Sequence, residues 1–290
     1  MAKLDRIDLL QSTPFFFMHA ACLLVFWVGW SWPAVAVAVV LYAVRVFALT
    51  AFYHRYFSHR AFKTSRWFQF AAAVVGTTAV QRGPIWWAAH HRDHHRHSDR
   101  EQDVHSPWQH GFLWSHMLWF LTHENYETNE NNVRDWMKFS ELRFLDRHYM
   151  LVPVLLAGFL YLLGAALKNW LPGWGTDGLQ MVVWGFFIST VAVYHVTYSI
   201  NSLAHLVGRR RFPTKDHSRN NFVLAMLTFG EGWHNNHHFY QASARQGFYW
   251  WEIDISYYLL RFLSWFGLVW DLKGVPERVL AQGRGKRESA

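Results

Sequence analysis

GEGWHNNHH, residues 230–238, holds three histidines at spacing i, i+3 and i+4. On an α-helix this spacing places the three imidazoles on one face. The same HxxHH pattern recurs as HRDHH at 91–95, and HRYFSH at 54–59 adds two further histidines. Three clusters with eight histidines are poorly explained as ordinary polar surface. They predict a metal site assembled from three parts of the chain.

The composition narrows the kind of metal site. A structural zinc site closes with four ligands and usually recruits cysteine, so eight imidazoles are too many for it. Cys22 is the single cysteine, which excludes a disulfide framework and a Cys-ligated iron–sulfur centre within this chain. Imidazole is a suitable ligand for iron. The clusters therefore favour two metal ions of higher coordination number.

Charge is strongly segregated along the 290 residues. Residues 14–44 carry no charged side chain, and a run of this length predicts a helical hairpin that breaks near Ser31-Trp32-Pro33. Two more uncharged runs lie in the middle of the chain. We therefore predict four transmembrane helices in two hairpins, at 14–30, 33–53, 150–167 and 179–200. Arg45 in the second helix is costly there unless it faces the protein interior.

The basic residues predict the orientation of these helices. The segments 54–148 and 201–290 share 24 of the 28 Lys and Arg residues, whereas the loops at 31–33 and 168–178 offer only Lys168. The positive-inside rule then places both termini and all three histidine clusters on the cytoplasmic side of the cytoplasmic (inner) membrane. The histidine clusters thus share one face of the membrane.

The fold class that follows is an all-α integral membrane protein, a single domain over 1–290. We expect a helical cytoplasmic cap from 54–148 and 201–281 and a disordered tail at 282–290. Within the cap, the apolar run 67–81 predicts a buried or membrane-skimming helix, and 249–270 predicts an interfacial amphipathic helix.

The net charge of +8, with 18 Trp and 24 Phe, suits a protein in contact with the lipid bilayer. No nucleic-acid-binding motif accompanies the basic residues, so we expect no nucleic acid partner.

The remaining histidines are interpreted differently because ten of them share no spacing. We expect these ten to be surface or packing residues, or supports for the ligands: His19, His90, His97, His105, His110, His116, His123, His148, His195 and His217. His205 is the exception. It follows the fourth predicted span, and Asn201 lies one helical turn before it, so both are candidates to reach the metal site.

The motifs HRYFSH, HRDHH, NSLAH at 201–205 and GEGWHNNHH together resemble the membrane fatty-acid desaturases of the stearoyl-CoA desaturase family, over about 54–271. The resemblance implies a diiron centre in the cap and O2 as co-substrate. It implies a cis double bond, most simply at carbon 9 of a saturated C16 or C18 acyl chain presented as acyl-CoA. It also implies a ligand set of His54, His59, His91, His94, His95, His205, His234, His237 and His238, with Asn201 bound through water.

The same resemblance suggests which residues shape the substrate tunnel. Gln81, Trp87 and Thr197 stand where the family places residues that bend the tunnel. Tyr198 stands where animal members carry Trp. Arg82 begins a stretch that replaces a more polar one in animal members, and it is a candidate for contact with phosphate. An acyl carrier protein or a glycerolipid ester therefore remains an alternative to acyl-CoA.

Each turnover of a desaturase needs two electrons, and the chain carries no haem domain, Cys cluster or GxGxxG nucleotide fold. We therefore expect an external electron donor of the ferredoxin, rubredoxin or cytochrome b5 type, with its reductase. A diiron membrane hydroxylase or ketolase would use the same ligands, and a non-enzymatic metal carrier is a third hypothesis. Product mass separates the first two, because desaturation removes two hydrogens and hydroxylation adds one oxygen.

Overall fold

Helices make up most of the computed structural model, which describes residues 7–284. In chain order they are α1 (Leu9–Val28), α2 (Trp32–Ser58), α3 (Arg66–Thr77), α4 (Pro84–His97), α5 (Ser140–Arg147), α6 (Leu151–Trp170), α7 (Gly178–Leu206), α8 (Phe222–Leu227), α9 (His234–Phe239), α10 (Ile255–Trp265) and α11 (Glu277–Arg284). Short helical turns occur at Pro107–His110, Trp114–Leu118, Trp119–Leu121, His123–Tyr126, Glu130–Val133 and Pro172–Trp174. Two short strands, β1 (Lys63–Thr64) and β2 (Val269–Trp270), pair antiparallel.

Four of these helices, α1, α2, α6 and α7, are long and apolar enough to cross a membrane. They correspond to the four predicted spans but differ from them at the ends. α1 begins at Leu9 rather than at residue 14, because the Asp8 carboxylate accepts a hydrogen bond from the Gln11 backbone N–H at 3.0 Å and caps the helix. Pro14 lies inside α1.

Two of the other spans, α2 and α7, are longer than predicted for a different reason, whereas the residues that extend α6, 168–170, are exposed. α2 continues to residue 58 and α7 to residue 206, past the predicted ends at 53 and 200, while α6 continues to 170. The polar residues that close the hydropathy pattern, such as His54 and His205, are buried by the cap. They continue the helices without meeting water, and a hydropathy pattern does not register this.

The two helical hairpins are tied together at their turns. Gly29, with φ 63°, ends α1, and Ser31 caps α2. The Gln180 side chain at the start of α7 donates to the Val28 carbonyl at 2.9 Å and lies within hydrogen-bond distance of Ser31. One buried amide therefore fixes the first hairpin against the second.

Arg45 and His195 are both polar residues within the spans, and both face the protein. Arg45 is fully buried, and its Nη1 donates to Ser189 Oγ at 3.1 Å and Thr190 Oγ1 at 2.9 Å on α7. His195 lies between His116 and His19, within 3.0 Å and 3.2 Å of their Nε2 atoms. Arg45 thus avoids the lipid, as the cost of a charge in the membrane requires.

The cap differs from expectation in three helices. The helix predicted at 67–81 spans Arg66–Thr77, and the amphipathic helix predicted at 249–270 is limited to Ile255–Trp265. β2 follows that helix and pairs with β1, so hydrogen bonding between distant segments ends the helical pattern. The predicted tail at 282–290 begins inside α11, and only 285–290 lies outside the described residues.

The main hydrophobic core surrounds the cap end of α2. Tyr53, Phe57 and Phe62 are almost fully buried there, and Ala73 of α3 and Ala88 of α4 pack into the same cluster. The end of α2 therefore lies at the centre of the cap, and close packing holds the side chains of its last turns in fixed positions.

Candidate metal centre and adjoining cavity

The nine histidines named above come together in two groups. In each group the nitrogens available as ligands lie within 4.8 Å of one another. The first group contains His54, His59, His91, His95 and His237, and the second contains His94, His205, His234 and His238. The groups adjoin, because the rings of His95 and His238 are 4.4 Å apart. The arrangement offers two neighbouring metal positions.

The local structure of α2 explains how His54 and His59 reach one group. On a regular α-helix, residues five apart point in different directions. The segment Ala48–Ser58 is instead a π-helix, in which backbone bonds join residues five apart, and the His59 N–H bonds to the His54 carbonyl at 3.2 Å. The wider turn brings the two imidazoles to the same side, with ring centroids 4.8 Å apart.

The stretch 230–238 needs a special backbone to deliver its histidines. Gly230 has φ 122°, and an added Cβ would lie 2.4 Å from the Asp254 carboxylate. α9 then begins at His234, and Asn235 and Asn236 anchor it. Asn235 Oδ1 accepts from the Arg211 and Phe212 backbone N–H groups at 2.8 and 2.7 Å, and Asn236 Nδ2 donates to Glu252 at 2.8 Å. The asparagines fix the helix while the histidines face the site.

Four of these nine histidines are each oriented by a buried carboxylate. The pairs are His54 with Glu231, His94 with Asp103, His205 with Asp99 and His238 with Asp216. In each pair the Nδ1 atom faces the carboxylate, at 3.0 Å for His94 and 2.8 Å for His205 and His238. A proton held on Nδ1 leaves the lone pair of Nε2 for a metal.

No sequence spacing relates these carboxylates to the histidines, so their role was not predicted. Glu231 lies within the motif itself, but it reaches His54 on α2 rather than its neighbours, and the Arg55 guanidinium also binds it at 3.0 Å.

Electrostatics keep Asp99 charged and four imidazoles of the first group neutral. Burial raises the pKa of Asp99, but hydrogen bonds from His205 and Ser106 outweigh it and bring the pKa to about 2. Burial lowers the pKa of the first-group imidazoles His59, His91, His95 and His237 well below the usual range. The neutral imidazole is the form that binds metal.

The donor set fits a metal centre on its geometry. His54 Nε2 and His237 Nε2 approach to 3.0 Å, and so do His205 Nε2 and His234 Nε2. Several other ring nitrogens of the cluster are buried with no hydrogen-bond partner among residues 7–284, including His95 Nδ1 and His238 Nε2. Converging lone pairs of this kind are stabilised by a shared cation, and the nitrogen-rich set suits iron.

The partners of the metal centre lead to a first prediction. Asp99→Asn is expected to weaken metal binding at the second group roughly 10- to 100-fold, because a neutral amide holds the His205 imidazole less firmly. Asp99 has φ 59°, which asparagine tolerates, so the backbone is preserved. Metal retention during titration with a chelator measures the effect. Asp93→Asn is the control, since Asp93 faces Arg96 outside the cluster, and equal retention in both variants would contradict the role of Asp99.

A cavity adjoins the first group on its membrane side. His54 and His91 form part of its wall, and Trp87 lies beside them with its ring stacked on His91 at 5.0 Å. All five residues proposed above to shape the tunnel also line this cavity: Gln81, Arg82, Trp87, Thr197 and Tyr198. Asn201 lines it as well. The structure thus brings candidate metal ligands and tunnel candidates to one space.

The turn that carries Gln81 is strained and held in place. Val80 has φ 56° and Arg82 has φ 63°, and such values are costly for residues other than glycine. The Tyr194 hydroxyl donates to the Val80 carbonyl at 3.0 Å, and Gln81 Nε2 donates to Thr197 Oγ1 at 2.7 Å. These bonds from α7 keep the turn pressed against the cavity.

Of the ten other histidines, His105 lies closest to the metal site. It belongs to a smaller group with His94 and Asp103, stacks on the His94 ring at 4.4 Å and on the Trp119 ring at 4.8 Å, and lines the cavity. Burial lowers its pKa to about 3, which keeps the ring neutral. His105 therefore packs between the cavity and the ring of His94, and no repeat in the sequence indicates this.

Comparison with known proteins agrees with this site. The fatty acid desaturase family model matches residues 30–271. The chain is similar to delta-9 acyl-lipid desaturase 1 of Arabidopsis thaliana, with 40% identity over 276 residues, covering 93% of this chain and 85% of the relative.

Two further relatives are named for different substrates. An sn-1 stearoyl-lipid 9-desaturase of Anabaena variabilis is 36% identical over 271 residues, covering 92% of this chain and 94% of the relative. An acyl-CoA 5-desaturase of Anemone leveillei is 40% identical over 254 residues, covering 86% and 74%. By the extent of these matches, the chain belongs to the fatty acid desaturase family and is an oxidoreductase that desaturates fatty acyl chains.

Proposed function

We propose that the chain introduces a cis double bond at carbon 9 of a saturated C16 or C18 acyl chain that is esterified in a membrane glycerolipid. The reaction converts –CH2–CH2– to –CH=CH– with O2, two electrons and two protons, and forms two waters. A centre of two iron ions would be held by the nine histidines, with Asn201 as a partner through water. The bound irons would supply the activated oxygen that an unactivated C–H bond requires.

The observation that carries the proposal is the path of the cavity. Its wall includes Pro14 and Phe15 on α1 and Met150 just before α6, at the ends of two spans, and it reaches His54 and His91. A cavity whose wall includes residues near the cap ends of two membrane spans is suited to an acyl chain that enters it directly from the bilayer. Two of the similar desaturases are named for acyl lipids, which also supports a glycerolipid-bound acyl chain as the substrate.

The protein's own residues would position and protect the reacting carbons. Trp87, stacked on His91, would hold the acyl chain beside the metal group. The hydrogen bond between Gln81 and Thr197 would fix the bend in the tunnel and so the carbon that is oxidised. Trp119 and Phe120 add apolar surface to the wall, which would exclude water from the reaction.

Arg82 is the candidate for contact with the lipid headgroup. Its guanidinium lies 3.8 Å from the Tyr126 ring centroid, and its Nη2 has no hydrogen-bond partner among the described residues. A phosphate or an ester oxygen at the cavity wall would satisfy this donor.

The positive-inside rule further supports placing the cap, and with it the active site, in the cytoplasm.

An acyl-CoA is the second candidate substrate, favoured by the similarity to an acyl-CoA 5-desaturase. Purified iron-loaded protein with a reductant can be given unlabelled stearoyl phosphatidylcholine and unlabelled stearoyl-CoA separately. We expect the lipid to lose 2 mass units and the CoA ester to react at least about tenfold more slowly, a preference of roughly 1.4 kcal/mol. Faster reaction of the CoA ester would reverse the substrate assignment, and a gain of 16 mass units would indicate a hydroxylase instead.

A further inference from the structure

A second pocket opens on the cap, away from the tunnel. The end of α4, the loop 213–216 and the end of α9 surround it. Its wall consists of His95, Arg96, Ser98, Arg100, Pro213, Thr214, Lys215, Asp216, His238, Phe239 and Gln241. In contrast to the tunnel, this wall is mostly polar, so it does not suit an acyl chain.

Two metal-site histidines reach this pocket, one from each group. His95 belongs to the five-histidine group and His238 to the four-histidine group, and their rings are 4.4 Å apart. The tunnel wall instead includes His54 and His91. The second pocket therefore approaches both metal positions at their junction, from a side that a bound acyl chain does not occupy.

The rim of the pocket is positively charged. Arg96, Arg100 and Lys215 are exposed there. Arg96 is partly neutralised by Asp93, 3.4 Å from its Nη1, whereas Arg100 and Lys215 form no ion pair within residues 7–284. The carboxylate in the wall, Asp216, is buried and already accepts from His238 Nδ1 at 2.8 Å. The net charge that a docking partner would meet at this rim is therefore positive.

The loop that carries Lys215 is held rigidly. Arg210 Nη2 donates to the Thr214 and Asp216 carbonyls, each at 2.7 Å. Asn235 of α9 donates to Thr214 Oγ1 at 3.2 Å, so the loop is fixed to the helix that carries His238. A rigid rim lets a partner dock without the cost of ordering it.

We propose that this pocket is the docking surface of an acidic one-electron carrier protein, and that electrons enter the metal centre through His95 and His238. The inference rests on the proposed diiron function, which needs two electrons for each turnover. Arg100 and Lys215 steer a carboxylate-rich surface to the pocket, because complementary charge raises the rate of encounter. The carrier's redox group then faces imidazoles that belong to both metal positions.

Binding tests the docking surface without depending on turnover. The probes are an acidic [2Fe–2S] ferredoxin and an acidic cytochrome b5, each titrated onto the full chain in nanodiscs at several salt concentrations. The double variant R100E/K215E is expected to raise the Kd of the carrier that binds by about tenfold or more and to flatten its dependence on salt. The matched control is K138E/R143E, which changes charge equally at exposed residues that do not line the pocket.

Electron transfer is measured separately on iron-loaded protein. The double variant is expected to slow reduction of the irons by the reduced carrier about tenfold or more, while reduction by dithionite keeps its wild-type rate. Unchanged carrier binding in R100E/K215E would overturn the proposal, as would an equal effect in the control. Equal slowing with dithionite, or no salt-sensitive binding of either carrier to the wild type, would overturn it too.

The outcomes also separate this inference from the proposed function. Wild-type protein that accepts electrons through the pocket but forms no unsaturated lipid would refute the proposed reaction and leave the docking surface standing. Normal desaturation with dithionite, combined with carrier binding that ignores the two charges, would refute the docking surface alone.

Discussion

His237→Ala is expected to abolish desaturation, a loss of about 100-fold or more, while the chain still inserts into the membrane. His237 Nε2 lies 3.0 Å from the Nε2 atoms of both His54 and His95, so it occupies the middle of the five-histidine group. Its removal takes away one ligand and opens a gap that water can enter. Loss of a ligand costs more than the 10- to 100-fold that follows loss of a supporting residue.

Iron content and product formation measure this effect together. We expect the variant to retain less iron, with the loss confined to one of two positions, and to yield no monounsaturated lipid by mass spectrometry. His123→Ala is the matched control, because His123 is exposed and belongs to neither group. Full activity in His237→Ala would remove this residue from the ligand set.

Gly232→Ala is expected to have the second large effect, on folding of the cap. An added Cβ would lie 2.1 Å from the Ala225 backbone nitrogen and 2.5 Å from the Asn221 carbonyl oxygen. Both are backbone atoms and cannot rotate aside, so α8 and the start of α9 must separate. We expect a destabilisation of about 3 kcal/mol or more, with His234 displaced from its group.

Gly173→Ala is the matched control for this prediction. The new Cβ there meets no described atom within 4 Å, and Gly173 does not require a positive φ. Thermal unfolding of the detergent-solubilised proteins, followed by size-exclusion chromatography, should show a clear loss of stability for Gly232→Ala alone. A wild-type melting temperature in that variant would show that the cap relaxes around the added methyl group.

Much of the fold follows from local sequence patterns. Uncharged runs located all four spans, because the length of a run and its lack of charge are local properties that the bilayer requires. Their ends were less well predicted. The helical cap buries His54 and His205, so α2 and α7 continue where the hydropathy pattern stops. The Asp8 side chain acts as the N-cap of α1, so this helix begins before Pro14.

The site shows a sharper division between what was predicted and what was not. The HxxHH spacing indicated a metal, since i, i+3 and i+4 share a helix face. The resemblance to a family was needed to name the complete ligand set. The π-helical end of α2, which brings His54 and His59 together, was not predicted, because its sequence does not differ visibly from that of an ordinary helix.

The sequence by itself determined how many imidazoles the chain offers, and that His54, His59 and His205 lie at the ends of apolar helices. The tertiary structure alone decided that the nine histidines divide into groups of five and four, and which carboxylates orient them. His205 and Asp99 are 106 residues apart, and their contact depends on how α7 packs against the cap. Contacts between distant residues depend on packing, and no local spacing encodes them. The same holds for GEGWHNNHH, in which Glu231 serves a histidine on another helix.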